Sequence, residues 1–166
     1  MKKLTILGIL LLSYGLTIAQ TYSPPKDYEL KKNEDYAKYE PDVIEAFDFL
    51  MEARPLKNVS KRKAAMRFII EWATGSPNVT ITLFEGLNPS MDGEYLCILF
   101  GGWIKTALTA DDEITTYDGY LGGINAVLDY YAKNKEILGT SKSIEKFVKL
   151  KKKGKLESFI KSKIES

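Results

Sequence analysis

Histidine is missing from this chain of 166 residues, and cysteine occurs once, as Cys97. Histidine is the commonest general base and a very common metal ligand, so most hydrolytic and metal-dependent sites lose their usual residue. A single cysteine cannot form a disulfide within the chain, and a catalytic thiol would want a histidine beside it. We therefore interpret Cys97 as a small buried apolar residue and expect packing to stabilise the fold.

Short sequence patterns that mark many enzymes are lacking too. The chain contains no GxSxG nucleophile elbow and no Walker-type phosphate loop. Two carboxylates could still act as in a glycosidase, but no spacing selects a pair among the 22 acidic residues. We therefore favour a non-enzymatic protein and predict no cofactor.

The chain has little net charge, with 24 basic and 22 acidic residues. Loss of Lys2 and Lys3 with the predicted signal peptide would make the two signs equal. A nucleic-acid-binding protein would be expected to carry a positive excess, so we predict no nucleic-acid partner. The balance hides an asymmetry, because residues 133–166 contain eleven lysines and four glutamates. These lysines either form a solvated face or contact an anionic surface such as a membrane.

The first nineteen residues have the composition of a secretory signal peptide. A basic start at Lys2 and Lys3 precedes an apolar run over residues 4–18, and Ala19 supplies a small residue at the cleavage site. An apolar run of this length is shorter than the roughly 20 residues that span a bilayer. We predict a signal peptide at 1–19, no transmembrane segment in the mature chain, and a periplasmic or secreted location.

The most hydrophobic later stretch, residues 94–109, has apolar residues at the three- and four-residue steps of a helix. It predicts the central helix of a bundle. Gly101 and Gly102 lie in its middle, where each glycine costs about 1 kcal/mol relative to alanine. Either they allow another helix to approach closely, or they open the backbone beside a ligand pocket with Trp103 as its wall.

Helical periodicity also begins at Pro41, after Ser60, at Tyr117, after Ser141 or Ser143, and after Gly154. The expected fold is therefore all-α, a single-domain bundle of five or six helices over residues 41–166, preceded by an extended or partly disordered leader at 20–40. Alternating β-branched residues predict one short extended segment near 78–85, either isolated or pairing with a partner or a second copy. A second set of glycines, at 119, 122 and 123, predicts that two helices cross tightly there.

Two candidate sites follow from these patterns. The first is a small-ligand site beside the glycine pair, formed by Gly101, Gly102, Trp103 and Tyr120. The second is a metal site in the acidic run after the central helix, formed by Asp111, Asp112 and Asp118. The same acids would otherwise form a solvated turn that favours the start of the next helix.

Tyrosines form two clusters, which suit either a binding surface or helix faces at the edge of a core. The members are Tyr22, Tyr28, Tyr36, Tyr39, Tyr117, Tyr120, Tyr130 and Tyr131.

Four stretches of the sequence, NEDYAKYEPDVIEAFDFL, FIIEWATGSPNVT, LFGGWIKTAL and KGKLESFIK, resemble small exported helical proteins of Bacteroidetes that have no assigned function. A GYLGG segment before a lysine-rich C-terminal helix gives a fainter resemblance to helical periplasmic immunity proteins. The first resemblance implies an exported helical domain and assigns no catalytic residue.

We therefore expect an exported binding or interaction protein of the cell envelope, whose partner is an envelope protein or a small ligand. The alternative is a small-molecule or cation-dependent enzyme with its pocket beside Gly101, Gly102 and Trp103.

Overall fold

A computed structural model describes residues 22–90 and 92–166. These two stretches form one all-α domain of seven helices and contain no strand. The predicted signal peptide and Met91 lie outside the described residues. The helices are α1 (Asn33–Lys38), α2 (Glu40–Glu52), α3 (Val59–Gly75), α4 (Gly93–Thr109), α5 (Thr116–Leu138), α6 (Lys142–Lys152) and α7 (Leu156–Ile164).

Helix α4 is the central helix, as predicted. It packs most extensively against α5, and α2 and α3 cover its other sides. Helices α6 and α7 pack on the outer side of α5 and on each other. The core is continuous through all these layers and includes Leu50, Ile69, Leu99 and Ile124.

The expected number of five or six helices is wrong, because seven are present among the described residues. The additional one is α1, which lies inside the predicted leader. A carboxylate oxygen of Asp35 accepts the backbone N–H groups of Lys31 (3.0 Å) and Lys32 (2.9 Å), which holds the start of the helix. Six residues carry too little apolar periodicity to be recognised in the sequence.

The rest of the leader also packs on the bundle. Tyr22 is 1% exposed and stacks on Phe49 of α2, with 4.6 Å between ring centroids. The Trp72 indole N–H donates to the backbone carbonyl of Tyr36 at 3.0 Å. Residues 22–40 are therefore part of the domain's packing, although their sequence resembles a linker.

Predicted helix boundaries are largely confirmed. Ser141 caps α6 by accepting the N–H of Ile144, and Gly154, with φ of 63°, separates α6 from α7. Helix α3 begins after Asn58 and not after Ser60 as predicted, so Ser60 lies in its first turn. No helix among the described residues combines the length and apolarity that a membrane span requires.

Candidate functional site

The glycine pair of α4 lies inside the helix packing. A Cβ at Gly101 would come within 2.3 Å of the Phe47 ring, and one at Gly102 would lie 3.0 Å from the Gly123 Cα. A Cβ at Gly123 would in turn lie 2.6 Å from the Leu99 carbonyl oxygen. The predicted tight crossing of the two glycine-bearing helices is confirmed, and close approach accounts for glycine at these positions.

Trp103 and Tyr120 are in contact, with ring centroids 4.9 Å apart. Trp103 also packs on Gly119, where an added Cβ would lie 2.1 Å from the indole Cε2. Burial raises the pKa of the Tyr120 hydroxyl, whose oxygen accepts the backbone N–H of Phe84 at 2.6 Å. This bond ties the middle of the loop between α3 and α4 to α5.

The three aspartates predicted to hold a metal are placed differently from one another. Asp118 forms a capping box at the start of α5: its carboxylate accepts the Thr115 hydroxyl (2.6 Å) and backbone N–H (3.0 Å), and its own N–H donates back. These bonds to Thr115 lower the Asp118 pKa. Asp111 and Asp112 are exposed. Within the described part of the chain, no group of three or more acidic or cysteine side chains is close enough to hold a metal ion.

The segment of residues 78–83, here called the free segment, lies between two grooves. One groove, of about 330 Å³, is formed with Ala73, Thr74 and Phe100. The other, of about 260 Å³, is formed with Trp103 and Ala107 on one side and residues 113–116 on the other. Of the predicted ligand-binding residues, Trp103 lines the second groove, whereas Gly101, Gly102 and Tyr120 do not.

The backbone of the free segment has no partner among the described residues. Between Val79 and Leu83, no N–H or carbonyl group takes part in a hydrogen bond with another described residue. The alternation predicted here is partly present, since Val79 is 4% exposed while Thr80 and Thr82 face solvent. Leu83 departs from it, with 45% of its surface exposed.

A buried polar centre, not predicted from the sequence, surrounds Arg62. Its guanidinium is 3% exposed and donates to the carbonyls of Leu50 (3.3 Å) and Ala53 (2.7 Å). It also donates to Glu94 (2.6 Å) and to the Tyr130 hydroxyl (2.8 Å), which itself donates to Glu94. Burial, followed by the bond to Glu94, raises the Tyr130 pKa.

A sequence signal for Arg62 does exist. Residues 62, 65, 69 and 72 follow one helical stripe, and all four are buried. A basic residue on an otherwise apolar stripe marks a buried cation that needs partners.

Cys97 lies beside a third groove, of about 440 Å³, which Met66, Ile70 and Glu94 also line. The cysteine is 6% exposed, and burial raises the pKa of its thiol to about 11. A thiol with this pKa is almost fully protonated at neutral pH and is a poor nucleophile.

The tyrosine clusters occupy the core and its edge. Tyr22, Tyr120, Tyr130 and Tyr131 are buried, and Tyr28, Tyr36, Tyr39 and Tyr117 are half-buried against the core. Their placement accounts for the sequence pattern without a tyrosine-lined surface.

The C-terminal lysines are mostly exposed. Lys146 lies over the Phe159 ring and Lys161 over the Tyr117 ring, each 4.8 Å from the centroid. Lys151 approaches Asp129 at 3.6 Å. Lys149 and Lys153 take part in none of the ion pairs between described residues.

The fold and these surfaces define a single-domain α-helical protein, in which one backbone segment between two grooves has no partner among residues 22–90 and 92–166. Comparison with protein-family models, with curated proteins and with solved structures finds no match.

Proposed function

We propose that this chain is an exported, non-enzymatic binding protein of the cell envelope, which pairs its free segment with an extended peptide of a partner protein. The observation that supports the proposal is the run of backbone groups over residues 79–83 that have no hydrogen-bond partner in the described part of the chain. A partner peptide that adds to such a run gains main-chain hydrogen bonds, and side-chain pockets beside it provide specificity.

The surroundings of the free segment support this mode of binding. Buried Val79 anchors one end, and the Phe84 N–H bonded to Tyr120 fixes the other. The backbone between these anchors is held in place before a partner arrives, which reduces the entropy lost on binding. The two grooves that flank the segment offer space for alternate side chains of the added peptide.

Export is the second part of the proposal and depends on residues 1–19. Expression in a bacterial host with subsequent fractionation tests it directly. We expect the envelope or medium fraction to contain a chain whose intact mass begins at Gln20. A full-length chain retained in the cytoplasm would contradict it.

The binding mode is tested by a matched pair of substitutions. Successive amides of an extended chain alternate between its two edges, so the amide of Leu83 points away from the edge on which Phe84 bonds to Tyr120. Leu83→Pro removes this donor, and the exposed side chain makes its replacement tolerable for the fold. Leu83→Ile keeps the amide and the size of the side chain.

The three chains are immobilised and exposed to a detergent extract of the envelope at near-physiological salt. We expect one protein to be retained by wild type and Leu83→Ile and lost by Leu83→Pro. Addition of that protein should slow hydrogen exchange of the 79–83 amides. Equal retention by all three chains, or unchanged exchange, would contradict strand addition. A dimer that is lost in Leu83→Pro would show pairing between two copies instead.

A further inference from the structure

A second surface, distinct from the free segment, lies at the end of the bundle where α2 connects to α3. We call residues 54–63 the basic tip. Between Glu52 and Glu71 the sequence contains six basic residues and no acidic one. Arg62 is buried and Arg67 pairs with Glu71, which leaves four cations on the tip. These are Arg54, Lys57, Lys61 and Lys63, and none of them pairs with a carboxylate among the described residues.

Two exposed aliphatic side chains lie between these cations in the sequence. Leu56 is 74% exposed and Val59 is 48% exposed. Only four large hydrophobic side chains are this exposed among the described residues, and a third, Ile137, lies at the same end of the bundle. Lys133 of α5 pairs with Glu52 at the end of α2 at 3.1 Å. Ile137 follows Lys133 by one helical turn, so it lies near the same end of the bundle.

Leu56 occupies a backbone position that does not favour leucine. The Lys57 N–H donates to the Arg54 carbonyl at 3.2 Å, which closes a turn with Pro55 in its second position. Leu56 is third, with φ of 65°, where such turns normally carry glycine or asparagine. A leucine that is exposed and conformationally unfavourable contributes little to folding, which suggests that it is there to contact something else.

The base of the tip is firmly held. Pro55 is buried, and the Arg62 guanidinium binds the carbonyl of Ala53 at 2.7 Å. The turn therefore presents Leu56 on a fixed support. An exposed aliphatic residue with several cations near it in the sequence suits a lipid bilayer, which has apolar material beneath an anionic surface. Lysine stems can follow the apolar residue inward while their ammonium groups stay at the surface.

We propose that the basic tip docks this protein on an anionic lipid bilayer, with Leu56 and Val59 entering the interfacial region and the four cations lying among the headgroup phosphates. Charge complementarity supports this occupant, since each Lys or Arg near an anionic membrane contributes about 1 kcal/mol, roughly a fivefold gain in affinity. The inference is independent of the peptide-binding proposal, because it uses none of the residues of the free segment.

The test uses the chain from Gln20, which contains every described residue and lacks the apolar run at 4–18 that would itself bind lipid. The probes are vesicles of equal parts phosphatidylglycerol and phosphatidylcholine, and vesicles of phosphatidylcholine alone. We expect co-sedimentation with the anionic vesicles, weakening as salt is raised, and little with the neutral ones.

Variants locate the contact. Leu56→Asn removes the apolar side chain and suits the left-handed backbone, so it should keep the fold intact and lower vesicle affinity by about tenfold. Leu56→Met keeps an apolar side chain at the same backbone cost and should retain most of the affinity. Lys57→Gln combined with Lys61→Gln should lower affinity by roughly 25-fold.

The C-terminal lysines provide the control for charge. Lys149→Gln combined with Lys153→Gln removes the same charge from two exposed lysines at the C-terminal end of α6 and should have a much smaller effect. A larger loss in this pair than in the tip pair would overturn the proposal, as would absence of binding to anionic vesicles. Equal affinity of Leu56→Asn and wild type for vesicles, or polyglutamate binding as tight as vesicle binding, would also overturn it and favour an acidic protein partner.

Discussion

The Arg62 guanidinium donates a 2.8 Å hydrogen bond to the Tyr130 hydroxyl and so joins the first turn of α3 to α5. The same guanidinium binds two carbonyls at the end of α2 and the carboxylate of Glu94 in α4. One side chain of α3 therefore bonds to three other parts of the chain: the end of α2, α4 and α5. It also fixes the turn that carries the basic tip.

Removal of this guanidinium should be costly. Arg62→Met keeps an apolar stem of similar length but leaves buried carbonyl and hydroxyl groups without their donor. We expect the free energy of unfolding to fall by roughly 3–5 kcal/mol, measured by urea denaturation. Arg67→Met is the matched control, because the Arg67–Glu71 pair is mostly exposed and should be worth less than about 1 kcal/mol. Similar losses in the two variants would contradict a buried polar centre.

The close packing of α4 and α5 at their glycines predicts a difference in stability between two Gly→Ala variants. Gly123→Ala places a methyl group 2.6 Å from a backbone oxygen and 2.9 Å from a Leu99 methyl carbon, and a backbone cannot yield cheaply. We expect a net loss of about 1–3 kcal/mol despite alanine's better helix propensity. Gly93→Ala has nothing within 4 Å and should be neutral or stabilising. Thermal unfolding of both variants compares them, and a stabilised Gly123→Ala would refute tight packing at the crossing.

Local patterns were sufficient for most of this fold. The apolar stripes, Ser141 and Gly154 mark helices and their ends through interactions within one or two turns, so the sequence determines them directly. Glycines 102 and 123 were informative because glycine weakens a helix, so its repetition inside two apolar stripes indicates that the helices need the space for close packing. Helix α1 escaped prediction, since its stability comes from Asp35 and from packing of a six-residue segment.

The surfaces were harder to predict, because they depend on contacts between distant residues. Trp103 was expected beside an opening, and it lines a groove, but the groove's other wall comes from residues 113–116. The role of Arg62 depends on residues up to 68 positions away. Exposure of Leu56 is equally invisible in the sequence, since leucine next to Pro55 resembles the last core residue of α2.

The thiol of Cys97 gives a third prediction. Because burial raises its pKa to about 11, the native protein should react very slowly with a disulfide reagent at pH 8, and the urea-unfolded chain should react rapidly with one equivalent. Reaction is followed by the absorbance of the released thiolate. Rapid reaction of the native protein would contradict the burial of Cys97. It would favour a chemical role for this thiol in the groove that Met66, Ile70 and Glu94 also line.

Asp118 gives the last prediction. Its bonds to Thr115 lower its pKa in the folded state, so its contribution to stability is present above the pKa of the unfolded chain and is lost as pH falls through the folded value. Asp118→Asn should cost about 1 kcal/mol at pH 7, and the difference from wild type should shrink progressively below about pH 4. Asp112→Asn, at an exposed position outside the capping box, is the control and should be neutral.

The same variant separates capping from the metal role predicted for Asp111, Asp112 and Asp118. A capping carboxylate acts through Thr115 alone, so the loss in Asp118→Asn should be the same with and without millimolar calcium or magnesium. A bound cation would stabilise the native state by mass action and raise the melting temperature of wild type only. Melting curves of wild type, Asp118→Asn and Asp112→Asn with each ion distinguish capping from metal binding. A shift in melting temperature that depends on the ion and is lost in both variants would establish the metal site.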